Sequence, residues 1–423
     1  MRRKQIDAQQ RICAHICKVC TAVRFVYLET DCRYIYFLAM AGLLVGLGAR
    51  PPPHRGVQTM RTKITAVIIA LAMLLILASC DSHVVYGSSV RTIIFTDSAG
   101  RQVEVPETIT RVAPSGSVAT MILATLCPEL MVCVSGSPSS SQYKYLPANL
   151  IDLPTTGQLY GSRSTINLES LIEAAPQVIL DLGDRKENIG ADMDALQRTT
   201  GVAAIFLEAD LINISEAYRV MGDLLGLEER AETIASFIDE TMFMAAENAA
   251  KIAEAERKTV MYTTGSSGLA SNADGSVQAQ VIEIVGAKNA IVVEDVSNSG
   301  GGNIIGLEQL YNFDPDVILF AGGSIYSTVA QMPAWSDLSA VRNDMYYEIP
   351  ALPYSWMANP PSINMILGVW WLGNLLYPEV YDFDAAETAR HIYRLFWGYE
   401  LSDEEAYAML AASTYKKEAG SGA

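Results

Sequence analysis

The chain has 423 residues, enough for two or three domains of ordinary size, and half of them are hydrophobic, so sizeable cores can be buried. Its formal net charge of -17 hides a basic leader: residues 1–79 hold 11 Lys or Arg against 3 Asp or Glu, and the remainder hold 19 against 44. A body of about −25 by that count repels phosphate backbones, which argues against nucleic acid as a partner.

Residues 1–59 read as an upstream extension, because a secretory signal begins at Met60. Within the extension, Cys13-x3-Cys17-x2-Cys20 has the spacing of the cluster motif of radical enzymes that use S-adenosylmethionine. Such a cluster needs an enclosing barrel, whereas the chain continues with a basic patch, an apolar run and PPP, so the spacing reads as coincidence. From Met60 the chain runs MRTKITAVIIALAMLLILASC, with a basic start, a 14-residue apolar run from Ile64 to Leu77 and small residues before a cysteine. The run is short of the roughly 20 residues that span a bilayer as a helix. Leu77-Ala78-Ser79-Cys80 resembles the lipobox of bacterial lipoproteins, in which the cysteine is diacylated and becomes the new N-terminus. The resemblance makes Cys80 the expected lipid anchor, residues 60–79 the signal peptide, residues 80–90 a polar tether, and the mature chain 344 residues long.

The body opens with IIFTDSAGRQVEVPE, which alternates around a turn and predicts a β-hairpin. Apolar strand candidates come next at Arg111–Ala113, Leu130–Ser135, Val178–Asp181 and Ala203–Leu207, alternating with helical stretches at Val118–Leu126, Leu168–Ala174 and Ile189–Thr199. Cys127 and Cys133 lie in apolar stretches and read as small buried hydrophobes, with no disulfide framework in the chain. From Ser215 to about Arg257 the pattern becomes a long Ala- and Glu-rich amphipathic run, broken only around Gly226. Alternation then resumes with KTVMYTTG, a helix VQAQVIEIVG, a strand IVVED, a helix GLEQLYNF, then DVILFAGG and MYYEIPAL. The fold class expected is α/β, two Rossmann-like lobes joined by a long inter-lobe helix. The lobes would span 91–214 and 258–412, with the connection at 215–257 and a tail at 413–423.

An internal echo relates the two lobes. Asn167 to Leu180 and Gly306 to Leu319 both read L-E-x-L, four residues, then Pro-x-V-I-L: a short helix ending before a proline that enters a buried strand. The leucines are core residues. Glu169 and Glu308 fall off the apolar face, and from the residues alone each reads as a solvated carboxylate favoured by the helix dipole.

Together, TDSAGRQVEVPETITRVAPSG, GQLYGSRSTINLESLIEAAPQVIL, the inter-lobe helical run, LEQLYNFDPDVIL and PYSWMANPPSINMILGVWWLGNLLYPE resemble the class III substrate-binding proteins of iron-siderophore, haem and cobalamin ABC importers, over nearly all of residues 91–410. The resemblance implies an extracytoplasmic binding protein that is no enzyme and carries no cofactor. Its partners would be a small-molecule metal chelate and a permease dimer with its ATPase subunits, with the membrane reached through the lipid anchor. It also implies that Glu169 and Glu308 dock onto basic pockets of the two permease subunits. Met365 stands in PPSINMILG where many members carry an arginine, so the resemblance does not fix the chelate.

In a two-lobe binder the ligand lies between the lobes, against loops at strand ends. Those loops offer Ser115, Tyr160, Arg163, Arg185, Lys186, Tyr326, Tyr354 and Trp356 as candidate ligand contacts, a set of aromatics and cations suited to a flat or anionic chelate. Only His83 and His391 survive in the mature chain, too few for a bare zinc or manganese site, so a metal should arrive already chelated. Two alternatives remain: capture of an oxyanion such as molybdate or tungstate, which needs small side chains with compact amide or basic donors, and a secreted enzyme or sensor that reuses the fold. An enzyme would need a nucleophile with a base in reach, and the sequence offers no such pair.

Overall fold

The computed structural model describes residues 91–160, 164–298 and 300–413. The chain divides into two compact units after Gly87, and every described residue belongs to the second. The signal run, Cys80, His83, Arg163 and the tail beyond residue 413 lie outside the described residues. No helix among the described residues is long and apolar enough to cross a membrane.

The first lobe opens with the antiparallel hairpin β1 (Thr92–Thr96) and β2 (Gln102–Pro106), in which Phe95 faces Val103. Its turn is held by buried Asp97, whose carboxylate accepts from the backbone of Ala99 and Arg101 and pairs with the Arg101 guanidinium at 2.8 Å. Next comes a three-stranded parallel sheet, β3 (Val112–Pro114), β4 (Val178–Gly183) and β5 (Ala203–Glu208), with β4 in the middle. Helices α1 (Ser117–Leu126), α2 (Leu168–Glu173) and α3 (Ile189–Thr200) cover it. Along β4, Val178, Leu180 and Leu182 enter one core cluster and Ile179 enters another, so both faces of the sheet are buried.

The helical run from Ser215 is two helices, α4 (Ile214–Leu225) and α5 (Glu228–Ala249), with Gly226 between them in the left-handed conformation. At 22 residues α5 is about 33 Å long. Beyond it the chain forms a short 3-10 turn at Glu254–Glu256.

The second lobe is a mixed sheet built on β6 (Thr259–Thr264), with β7 (Ala270–Asn272), β8 (Lys288–Asn289), β9 (Asn303–Ile304), β10 (Val317–Phe320) and β11 (Tyr346–Glu348). Its order is β11-β10-β6-β7-β9, with β8 beside β6, and β10 runs parallel to both of its neighbours. Helices α6 (Gln280–Ile284), α7 (Leu307–Phe313), α8 (Pro333–Ser336), α9 (Ser339–Arg342) and α10 (Met365–Leu376) belong to it. The closing helices α11 (Ala385–Trp397) and α12 (Asp403–Leu410) return across the molecule, α11 packing on α1 of the first lobe and α10 of the second. One continuous apolar core runs from Val103 through α4 and α5 to Leu410. Trp370 Nε1 donates to Thr241 Oγ1 on α5 at 3.0 Å, and Tyr381 OH donates to Ala245 O at 3.2 Å.

Two predicted strands do not form. Leu130–Ser135 bridges Val112 at Met131 and Thr155 at Val134, two different neighbours one residue at a time, so no ladder develops. In IVVED only Ile291 is buried, and the run crosses the surface after β8. Cys127 and Cys133 are free and fully buried, as expected of small hydrophobes.

Candidate functional site

The carboxyl ends of β3 and β4 open into a cleft of about 490 Å³ walled by both lobes. Ser115 is the first residue past β3; its N–H still donates to Leu180 O at 3.0 Å, and its carbonyl accepts from Leu159 N at 2.8 Å. That second bond ties the Gln158–Tyr160 segment to the strand end. Gly157 makes the turn into this segment at a φ of +75°, where a Cβ would lie 2.1 Å from Thr165 O.

On the first-lobe side the floor is the amino end of α1. Gly116 occupies its N-cap position and has no side chain to cap it, so the first-turn N–H groups lack intrahelical partners, and Gly116, Ser117, Val118 and Ala119 of this turn line the cleft. Ser117 Oγ contacts Gln158 Oε1 at 3.4 Å. From β4 comes Asp181, 6% exposed, whose Oδ1 accepts a hydrogen bond from the Ser115 hydroxyl. Burial pushes the Asp181 carboxyl up to about 6, against the Ser115 hydrogen bond and the Lys186 charge, while Asp192 adds to the rise. Past the end of β4, Lys186 Nζ donates to Asp184 O at 2.9 Å and stands 5.9 Å from the centroid of the Tyr160 ring. The Tyr160 hydroxyl donates to Asp192 on α3 at 2.8 Å, and burial with that bond holds its pKa above the usual tyrosine range.

The second lobe contributes neutral amides. Gln278 is 4% exposed; its Nε2 donates to Asn298 O at 3.1 Å, and its Oε1 has no hydrogen-bond partner among the described residues. Asn298 Oδ1 accepts from Val277 N at 3.1 Å. Asn359, Pro360 and Pro361 complete this wall, with Asn359 Nδ2 at 3.4 Å from Tyr262 OH. A depression of similar size beside Gly226 lies over the solvated start of α5, away from the strand ends.

Of the candidate contacts, Ser115, Tyr160 and Lys186 line this cleft. Arg185 does not: its guanidinium turns to Glu208 at 2.9 Å and over the Phe206 ring at 5.8 Å. Tyr326 packs with Phe320 and Tyr346 on the outer core of the second lobe. Tyr354 lies against Trp397, and burial pushes its hydroxyl up to about 12. Trp356 is 1% exposed and donates to Leu352 O at 3.3 Å, a core side chain. The aromatic platform expected from sequence thus reduces to Tyr160. Asp181, Gln278, Asn298 and Asn359 were not singled out from sequence. For Asp181 there was a signal, a carboxylate inside the apolar strand VILDLG; for the amides there was none.

Glu169 and Glu308 are exposed on the first turns of α2 and α7. Each helix ends in a left-handed residue directly before proline, Ala175 at φ 48° and Asp314 at φ 32°, and each feeds an inner strand, β4 or β10. The sequence echo is therefore a structural one.

The model of the periplasmic binding protein family matches residues 116–352. Among solved structures, an ABC transporter solute binding protein from Sulfurospirillum deleyianum is 26% identical with a TM-score of 0.69, over 76% of this chain and 100% of that one. A periplasmic solute binding protein from Veillonella parvula is 21% identical with a TM-score of 0.63, over 76% and 98%. The molybdate periplasmic binding protein MolA of Haemophilus influenzae, solved with molybdate, is 17% identical with a TM-score of 0.58, over 73% and 99%. The last two share the fold. No curated protein sequence matches significantly. With the family match covering more than half of the chain, the chain belongs to the periplasmic binding protein family, as a two-lobe, class III type solute-binding protein of ABC transporters that works outside the cytoplasm.

Proposed function

We propose that this protein is the lipid-anchored receptor of an ABC importer, capturing a hydrophilic metal chelate between its lobes and handing it to the permease dimer. The observation that carries this reading is the cleft itself: about 490 Å³, walled among the described residues by hydroxyls, amides, two carboxylates and one lysine, with a single aromatic ring. That volume falls in the range of small-molecule sites and far exceeds a bare ion. A flat haem would need an apolar platform that one tyrosine does not supply, so a compact chelate with hydrogen-bonding edges fits better.

Docking through Glu169 and Glu308 is supported by their exposure and by the apolar groups beside them. Ile172 is 46% exposed near Glu169; Ile304, Leu307 and Tyr311 are exposed near Glu308. A charge flanked by solvent-facing apolar side chains suits a protein partner. Anchoring rests on Leu77 to Cys80 and on the extracytoplasmic setting of the family.

A second reading, capture of a molybdate-like oxyanion, is favoured by the uncapped amino end of α1 beside Ser117 and Lys186. MolA holds molybdate in the same fold. The full chain, purified in detergent, is titrated by tryptophan fluorescence and native mass spectrometry against a nickel–histidine complex, a ferric catecholate, a cobamide, haemin and molybdate. Binding of one of the compact chelates is expected. Binding of none of the five, with turnover of a solute instead, overturns the receptor reading.

A further inference from the structure

The cleft contains a carboxylate that an anion receptor has no use for. Asp181 sits near the end of an otherwise apolar strand, 6% exposed, and lines the cleft. It has no ion pair among the described residues; the nearby Lys186 ammonium lies 3.9 Å from Asp184 instead. Its Oδ1 accepts from Ser115, itself 2% exposed, and its Oδ2 makes no hydrogen bond among the described residues. A desolvated carboxylate without a cation is costly and would be selected against in a strand that only had to pack. Ionised, it can accept hydrogen bonds and cannot donate one. Around it stand Asp184 after β4, Asp192 on α3 and Tyr160, whose hydroxyl is committed to Asp192, with Lys186 the one cation among the described residues.

We propose that Asp181 is the selectivity filter of the cleft: it admits solutes that present an O–H, an N–H or a positive charge to its free oxygen, and it rejects oxyanions that carry no proton. The inference deepens the receptor reading and rests on it. A fully deprotonated tetrahedral oxyanion at the amino end of α1 would set oxygen against oxygen at Asp181, whereas a chelate with amine, amide or hydroxyl edges completes the hydrogen bonding that Ser115 begins. Like charges in a desolvated site repel more strongly than in water, so the discrimination is large.

The test uses the full chain in detergent, as wild type, Asp181→Asn and Ser115→Ala, titrated calorimetrically with molybdate and with the nickel–histidine complex near neutral pH. Asn keeps the shape of Asp and adds a donor. Asp181→Asn should bind molybdate at least ten-fold more tightly than wild type and the chelate at least ten-fold more weakly, while Ser115→Ala, which keeps the carboxylate, should still disfavour molybdate. A variant that gains no molybdate affinity, or that leaves the affinity of a bound chelate unchanged, overturns the filter. Should the wild type bind no chelate at all, the chelate reading fails and the molybdate arm alone decides the filter. If Asp181→Asn does not fold, sulfate binding to the wild type decides instead. Sulfate stays deprotonated through mild acid, so its affinity should rise at least ten-fold as the pH falls through the titration of Asp181. A flat profile overturns the proposal.

Discussion

Ser115 and Asp181 are joined by a hydrogen bond between the ends of adjacent parallel strands, the hydroxyl of one buried residue donating to the carboxylate of another. The pair has a consequence for stability. Asp181 titrates at about 6 in the folded protein against an ordinary value of 3.8, because burial outweighs the Ser115 bond and the Lys186 charge. The folded state therefore holds the proton more tightly than the unfolded chain. Its contribution is fully present below the unfolded value and is lost as pH rises through about 6. The difference amounts to about 2–3 kcal/mol. Thermal melts of wild type and Asp181→Asn between mildly acidic and neutral pH should diverge, the variant gaining relative stability up to about 6.5 and the difference then levelling off. A constant difference across that range would show that the carboxyl titrates normally.

Glu169 and Glu308 make no ion pair among the described residues and bury little, so their replacement should leave the fold alone. Glu169→Ala and Glu308→Ala are each expected to melt within about 0.5 kcal/mol of wild type and to keep ligand affinity. Import by cells expressing the cognate permease should fall at least ten-fold for either variant, because each carboxylate would engage a different subunit. Unchanged uptake would leave them as solvated helix-start residues.

Much of the fold was legible because parallel strands buried on both faces read as apolar runs. Val178 to Leu182 and Val317 to Phe320 are such strands, and each is preceded by a short helix and a proline. Leu130–Ser135 and Ile291–Asp295 have the same composition but find no ladder, since pairing depends on which distant backbone lies alongside. The cleft was legible where its residues lie directly at strand ends, as Ser115 and Lys186 do. Tyr326, Tyr354 and Trp356 come after strands in the same way but turn into cores, because an aromatic in a loop does not declare which side of the chain it packs on. Gln278 and Asn359 reach the cleft through tertiary placement alone.

That division between cleft and core is open to measurement. Trp356→Ala removes a side chain 1% exposed and should cost about 3–5 kcal/mol in a denaturant titration. Tyr160→Ala removes a half-buried ring whose hydroxyl bonds Asp192 and whose face meets Lys186, and should weaken ligand binding about ten-fold with a smaller loss of stability. A Trp356 variant that keeps its stability and loses only binding would return that residue to the cleft.

The joint between α4 and α5 makes a last prediction whose sign depends on a single approach. Gly222 lies inside α4, where glycine lowers helix stability by about 1 kcal/mol relative to alanine. A Cβ there, however, would stand 2.5 Å from the Ala231 Cβ on α5 and 3.3 Å from the Glu228 backbone. The backbone contact and the buried partner leave no flexible group to give way, so overpacking should exceed the gain in propensity. Gly222→Ala is expected to lower the Tm, and Gly222→Val to cost about 1–3 kcal/mol or more. Gly190, in the first turn of α3, meets only the Arg101 Cδ at 3.6 Å, an ordinary contact with a long side chain. Gly190→Ala should therefore raise stability by about 0.5–1 kcal/mol. Opposite signs for the same substitution in two helices would trace the difference to the α4–α5 contact, and equal signs would mean that α4 and α5 do not approach each other so closely at Gly222.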